Sequence, residues 1–218
     1  MLWPTLCIDN FFQNPDAVIA YAKKLKYQKT DGHWPGERSE PLHVIDPTFF
    51  HKVTNKIIAA LYPHEAGNRE FRWKATSQFQ KIKTSKHTLP GFIHQDIDTE
   101  FTSIIYLSDE EDTGTSIYRN IEEPIYVGLE EKIKGYKNYK TTNKLKQAVK
   151  KNRSAFVKVF EFKPLKNRMI IFDGAHHHGV DNFGKKEKER LTLITFFETV
   201  YRTDGVPFKY HVNECTKF

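Results

Sequence analysis

The chain has 218 residues and a net charge of +7, with 39% hydrophobic, 28% charged and 14% aromatic residues. That length buries a core without help from disulfides or a structural metal, and 17 Phe with 10 Tyr exclude both a disordered chain and an Ala/Leu-rich helical bundle. Cys7 and Cys215 sit near opposite ends without Cys-x-x-Cys spacing, which excludes a cysteine zinc site and a disulfide framework.

In chain order, the first third reads as helical. Asn14-Pro15-Asp16 supplies an N-cap, a first-turn proline and an acid at the positive helix end, followed by Val18, Ala20, Tyr21 and Leu25. Asp46-Pro47 starts a second helix, along which Phe49, Phe50, Val53, Ile57, Ile58 and Leu61 recur at helical spacing. Between the two, residues 32–38 (Gly-His-Trp-Pro-Gly-Glu-Arg) read as a turn-rich loop. From residue 69 the texture changes. Segments 69–83, 101–107, 116–118, 156–163, 168–172 and 191–200 are rich in Phe, Ile, Val, Thr and Tyr and read as strands. Many short strands without helical crossovers predict an antiparallel sandwich or barrel.

The positive charge belongs to one segment. Residues 131–153 carry eight Lys and one Arg against a single Glu, which accounts for the whole net charge. This stretch interrupts the strand pattern as a helical or mobile insertion. Tyr136 and Tyr139 interleave with its lysines, so an anionic partner, nucleic acid included, stands beside two blander readings: a solvated surface helix, or a lid. Arg38 and Arg119 are further candidates for meeting an anionic substrate, or else surface charges. No apolar run reaches the roughly 18 residues of a membrane span, and the start lacks a basic stretch followed by an apolar one. The expectation is a soluble, cytoplasmic chain with no membrane partner.

Three features carry chemistry. In His94-Gln95-Asp96, residues i and i+2 on a strand point to one face, so an imidazole and a carboxylate can meet on one metal ion; alone, the triplet is weak. Residues 168–182 run from an apolar strand into a turn and the cluster His176-His177-His178, where His176 and His178 can share a face but His177 cannot. The third is Arg190-Leu191-Thr192. A guanidinium opens an apolar strand with no acid in that strand before Glu198, so its partner comes from elsewhere, a ligand carboxylate included. Two His and one Asp can form the facial triad that binds Fe(II) and leaves open positions.

The order His-x-Asp, long gap, His, then Arg-x-Thr 12 residues beyond His178 resembles the Fe(II)/2-oxoglutarate-dependent dioxygenase superfamily. Residues 102–108 resemble the strand that follows His-x-Asp in that family, and residues 113–119 its Gly-Thr strand. Residues 14–16 and 35–38 are similar to an uncharacterised oxygenase-like group encountered in phages and bacteria.

The resemblance spans about residues 8–125 and 155–200, and implies a mainly β, α+β fold: a double-stranded β-helix (jelly-roll, cupin-like) core with N-terminal helices packed outside. It also implies one domain over 1–218, with a helical part to about 66, a core over about 67–200 holding the basic insertion at about 122–154, and a tail over about 201–218. His94, Asp96 and His178 would ligate Fe(II); His177 is the fallback for the third ligand, and His176 is less favoured. Arg190 would bind the far carboxylate of 2-oxoglutarate, aided by Thr192 and Tyr106, although Tyr106 equally fits a core tyrosine with a satisfied hydroxyl. Asp96 implies hydroxylation or a related oxidation, since halogenating relatives carry a small residue there. The implied reaction consumes O2, converts 2-oxoglutarate to succinate and CO2, and oxidises an unidentified small molecule, peptide or nucleic acid. Alternatives from other classes are a non-catalytic β-sandwich binding metal or nucleic acid, a cupin-like metal enzyme without 2-oxoglutarate, and a zinc hydrolase, for which no general base is evident.

Overall fold

A computed structural model describes residues 3–29, 31, 33–61, 71–83, 89–108, 113–121, 129–138, 142–183 and 188–202. Tyr139, Cys215 and the tail from residue 203 lie outside the described residues, as does the expected helical stretch beyond residue 61.

The two expected N-terminal helices form for the reasons their sequences give. Helix α1 (Pro15–Lys24) opens on Asn14, whose Oδ1 accepts from Ala17 N at 3.0 Å, with Asp16 in the first turn and Lys23 and Lys24 in the last. A short α2 (Leu42–Ile45) precedes α3 (Pro47–Leu61), where Asp46 Oδ1 accepts from Phe49 N at 2.9 Å. The buried face of α3 is Phe50, Val53, Thr54, Ile57, Ile58 and Leu61.

Ten strands lie among the described residues, in chain order β1 (Leu6–Ile8), β2 (Tyr27–Lys29), β3 (Glu37–Ser39), β4 (Phe71–Lys83), β5 (Phe101–Tyr106), β6 (Thr115–Asn120), β7 (Phe156–Phe162), β8 (Met169–Asp173), β9 (His177–Val180) and β10 (Glu189–Arg202). They build a seven-stranded sheet ordered β1-β8-β5-β10-β4-β3-β2 and a three-stranded sheet ordered β7-β6-β9, with every pairing antiparallel. This is the expected jelly-roll with helices outside. Strands β1, β2, β3 and β9 and helix α2 are additions to the sequence expectation. Glu37 and Arg38 belong to β3 rather than to a loop, because Arg38 pairs with Gln80 of β4.

Period-2 alternation sorts the large sheet into two cores. On one face Phe101, Ile105, Met169, Ile171, Leu191, Leu193 and Phe197 pack with the buried residues of α1, α2 and α3. On the other, Ile104, Tyr106, Ile170, Phe172 and Ile194 meet Ile117 and Phe162 of the small sheet. Arg190 and Thr192 share parity with Ile194, which places two polar residues on the inter-sheet face.

The basic segment folds as α4 (Leu129–Asn138) and α5 (Asn143–Ser154). Tyr136, Leu145 and Val149 bury against Phe92, so the insertion packs on the open end of the sandwich. Lys134, Lys137, Lys144, Lys146, Lys150 and Lys151 are exposed, while Lys132 is half-buried. No described helix is long and apolar enough to cross a membrane.

Candidate metal centre

At the open end, His94 and His178 form an isolated antiparallel bridge. His94 N donates to His178 O at 3.0 Å and His178 N to His94 O at 2.8 Å, so the two residues are directly opposed and their imidazoles lie on one side, ring centroids 4.5 Å apart. Asp96 completes the set. Its Oδ1 is 3.7 Å from His94 Nε2 and its Oδ2 is 3.5 Å from His178 Nε2, and one donor atom from each residue lies within 4.8 Å of the others.

Both rings are held by their other nitrogen. His94 Nδ1 lies 3.0 Å from Phe92 O and His178 Nδ1 lies 2.9 Å from His176 O. A carbonyl can only accept, so each Nδ1 carries a proton, and Nε2 is the nitrogen that each ring turns toward Asp96. Thr102 Oγ1 donates to Asp96 Oδ2 at 2.5 Å. Burial pushes the Asp96 carboxyl up, but the neighbouring imidazoles, the Thr102 hydroxyl and Arg38 outweigh it and hold its pKa below the ordinary value. Burial, followed by the proximity of His178, lowers His94. At neutral pH an ionised carboxylate therefore faces a neutral His94, the protonation state a divalent cation requires.

Asp96 does not lie on a strand, as the i, i+2 pattern predicts. The backbone bends after the bridge into a turn at Ile97 and Asp98, with Asp98 at φ 61°. The bend is pinned from behind by the turn after β8. Asp96 N donates to Gly174 O at 2.9 Å and Gly174 N to Glu100 O at 3.1 Å, and a Cβ on Gly174 would lie 2.0 Å from Thr99 O. Asp173 fixes that turn, accepting from Ala175 N at 2.7 Å and from Trp3 N at 2.5 Å.

The other members of the His cluster are elsewhere. His177 is on the opposite face of β9, its ring 4.8 Å from that of Phe156, and His176 contributes the carbonyl that orients His178.

Beside the triad is a cavity of about 230 Å3, lined among others by Arg190, Thr102, Ile104, Thr115 and Ile194. Arg190 is 3% exposed and its Nε donates to Thr113 O at 3.1 Å, yet among the described residues no carboxylate pairs with its charge. Burial lowers its pKa. The Thr192 hydroxyl is fully buried and has no hydrogen-bond partner among the described residues. An unpaired buried cation next to an orphaned hydroxyl fits a carboxylate-bearing ligand, since each isolated polar group costs about 1–3 kcal/mol. Tyr106 is buried against Arg190, with the guanidinium 5.5 Å from its ring centroid, and its hydroxyl bonds both the Arg190 side chain and Thr115. It donates to Thr115 Oγ1 at 2.8 Å and accepts from Thr115 N at 3.1 Å. Arg119 is exposed on β6, whereas Arg38 and Lys132 line the cavity.

The sequence is matched over residues 3–197 by the family of unknown function DUF6445. The chain belongs to that family. No curated protein matches it. This DUF6445 member has the fold of the Fe(II)/2-oxoglutarate-dependent oxygenases. HygX from Streptomyces hygroscopicus, solved with nickel and 2-oxoglutarate bound, is 12% identical with a TM-score of 0.54, the match covering 94% of this chain and 85% of that one. The non-heme alpha ketoglutarate dependent epimerase SnoN from nogalamycin biosynthesis is 11% identical at a TM-score of 0.54, covering 94% of this chain and 88% of its own. The carbocyclase SnoK of the same biosynthesis is 12% identical at 0.53, covering 95% and 89%. At these identities the likeness is one of fold, and the metal-binding potential of the DUF6445 chain rests on its own triad.

The residues that hold the site in place carry little signal in the sequence. Thr102 was visible only as part of a strand. Gly174 was one glycine in a turn, and Asn152, which binds the backbone beside His94, carries no sequence signal.

Proposed function

We propose that this DUF6445 protein is an Fe(II)- and 2-oxoglutarate-dependent dioxygenase that oxidises, most simply by hydroxylation, a substrate bound at the open end of the sandwich. The observation that carries this is one cavity lined by the His94–Asp96–His178 donor set and by a buried Arg190 that no described carboxylate pairs, with the orphaned Thr192 hydroxyl two residues further along β10. His94, Asp96 and His178 would hold the metal, and Arg190 with Thr192 would receive the far carboxylate of 2-oxoglutarate. The bound metal and 2-oxoglutarate supply O2 activation, with release of succinate and CO2.

The chain's own part is to fix geometry and protonation. The carbonyls of Phe92 and His176 keep both Nδ1 protons off the metal-facing side, so Nε2 would be the ligating atom of each ring. Thr102 fixes the Asp96 carboxylate, and Ile104 and Ile194 keep the cavity wall apolar. The solved proteins of this fold include a 2-oxoglutarate-dependent epimerase and a carbocyclase, so the fold serves more than one kind of oxidation and the substrate would select among them. A cupin-like enzyme without 2-oxoglutarate has no use for a buried unpaired guanidinium, which disfavours that reading.

The test is anaerobic titration of apoprotein with Fe(II) and 2-oxoglutarate, following the visible charge-transfer band of the chelate. The band should form in the wild type and be absent in His94→Ala and His178→Ala. Arg190→Ala should need about 100-fold more 2-oxoglutarate, the scale of losing one partner of a buried charge pair. Absence of the band in the wild type would overturn the proposal.

A further inference from the structure

Besides Arg190, the cavity has two further cationic side chains that the cosubstrate does not need. Arg38 on β3 and Lys132 on α4 both line it. The Arg38 guanidinium is held between aromatic faces, 4.4 Å from the Trp34 ring centroid and 5.4 Å from that of Phe196, which fixes its plane and leaves its edge to donate. Arg38 Nε and Trp34 Nε1 are both buried without a hydrogen-bond partner among the described residues. Two orphaned donors on one wall call for an acceptor from outside the chain.

Charge leads to the same requirement. Arg38 and Lys132 lie within each other's field, an unfavourable placement, and the negative groups acting on Arg38 are Asp96 and the exposed Asp31. On the proposed function, Asp96 and the 2-oxoglutarate dianion balance a divalent metal and Arg190. Arg38 and Lys132 are then left without a counter-charge inside the cavity. Phe92, Tyr136, Phe183 and Phe196 give the cavity a large aromatic surface besides.

We infer that the substrate is a small molecule with an apolar body and an anionic head, phosphoryl or carboxylate, which Arg38, Lys132 and the Trp34 indole N–H hold facing the metal centre. A nucleic acid is disfavoured, because the other described lysines of the basic segment are exposed and Lys132 alone turns into the cavity. The inference rests on the dioxygenase reading for its charge balance, and its test is built to fail separately.

Phenyl phosphate, phenylacetate and uncharged phenol would be titrated calorimetrically into wild type, Arg38→Gln, Arg38→Lys and Lys132→Gln, both metal-free and loaded with Ni(II) and 2-oxoglutarate. The Ni(II) and 2-oxoglutarate affinities are read first and should match wild type in all three variants; failure of the wild type to load sinks the dioxygenase reading alone. One or both anions should bind the wild type and phenol should not, with phosphate against acetate identifying the head group. Arg38→Gln and Lys132→Gln should each weaken the anion by about tenfold or more, and Arg38→Lys by less. Equal binding of phenol and both anions, failure of both anions to bind, or wild-type affinity in both Gln variants would overturn the inference. So would tight binding of a single-stranded oligonucleotide that survives both Gln substitutions, since that would move recognition to the outer lysines.

Discussion

Asn152 holds Ile93 by both of its backbone groups: Ile93 N donates to Asn152 Oδ1 at 2.7 Å, and Asn152 Nδ2 donates to Ile93 O at 3.0 Å. The next residue is His94. Helix α5 of the basic insertion is thereby joined to the segment that delivers the first candidate metal ligand, and Arg153 adds a bond from Nη1 to Gly91 O at 2.9 Å. The insertion is part of the site's scaffold. Asn152→Leu leaves a buried N–H and a buried carbonyl without partners, so it should cost about 2–4 kcal/mol. Urea denaturation should show that loss, and Ni(II) titration should show weaker metal binding at His94.

The two faces of β9 separate His177 from His178. His178→Ala should abolish high-affinity Ni(II) binding, while His177→Ala should leave it within about threefold of wild type, because the His177 ring packs on Phe156 away from the triad. Isothermal titration of the two variants side by side checks this. A reversed result would move the third ligand by one residue.

Gly174 has no room for a side chain. A Cβ there meets Thr99 O at 2.0 Å and Asp96 O at 3.0 Å, both backbone atoms. Gly174→Ala should cost about 1–3 kcal/mol and push the Asp96 turn away from the two imidazoles. The expected signature is loss of metal affinity together with a lowered midpoint of thermal unfolding.

Asp181 sets an acid limit on stability. Burial pushes its carboxyl up, but hydrogen bonds from Lys158, Tyr118 and Ser116 and the charge of Arg153 more than offset this, holding its pKa at about 2. An unfolded aspartate titrates near ~3.9. The folded value is the lower one, so the contribution is complete above the unfolded pKa and is lost as pH falls from about 4 toward 2. Denaturant unfolding of the apoprotein across that window should show the loss, and Asp181→Asn should be less stable at neutral pH and flatter below pH 4.

What the sequence determined by itself is what depends on local chemistry. The caps at Asn14 and Asp46, the apolar stripe of α3 and the strands β4, β5, β8 and β10 follow from side-chain type and period, because a helix face or strand face is set within a few residues. The candidate donor set and Arg190 were legible as residue types in the right order. Tertiary structure decided which of them meet. His94 and Asp96 converge through a one-residue bridge to a strand 84 residues away and a bend pinned by Gly174, and neither feature has a periodic signal. His178 rather than His177 faces the site because register on β6 sets which side of β9 turns inward, and a shift of one residue would exchange them. Lys132 was one lysine among eight until α4 turned it toward the cavity, while the segment's other described lysines stay exposed. Long-range pairing and burial choose among chemically equal residues, and a sequence encodes that choice only through the whole fold.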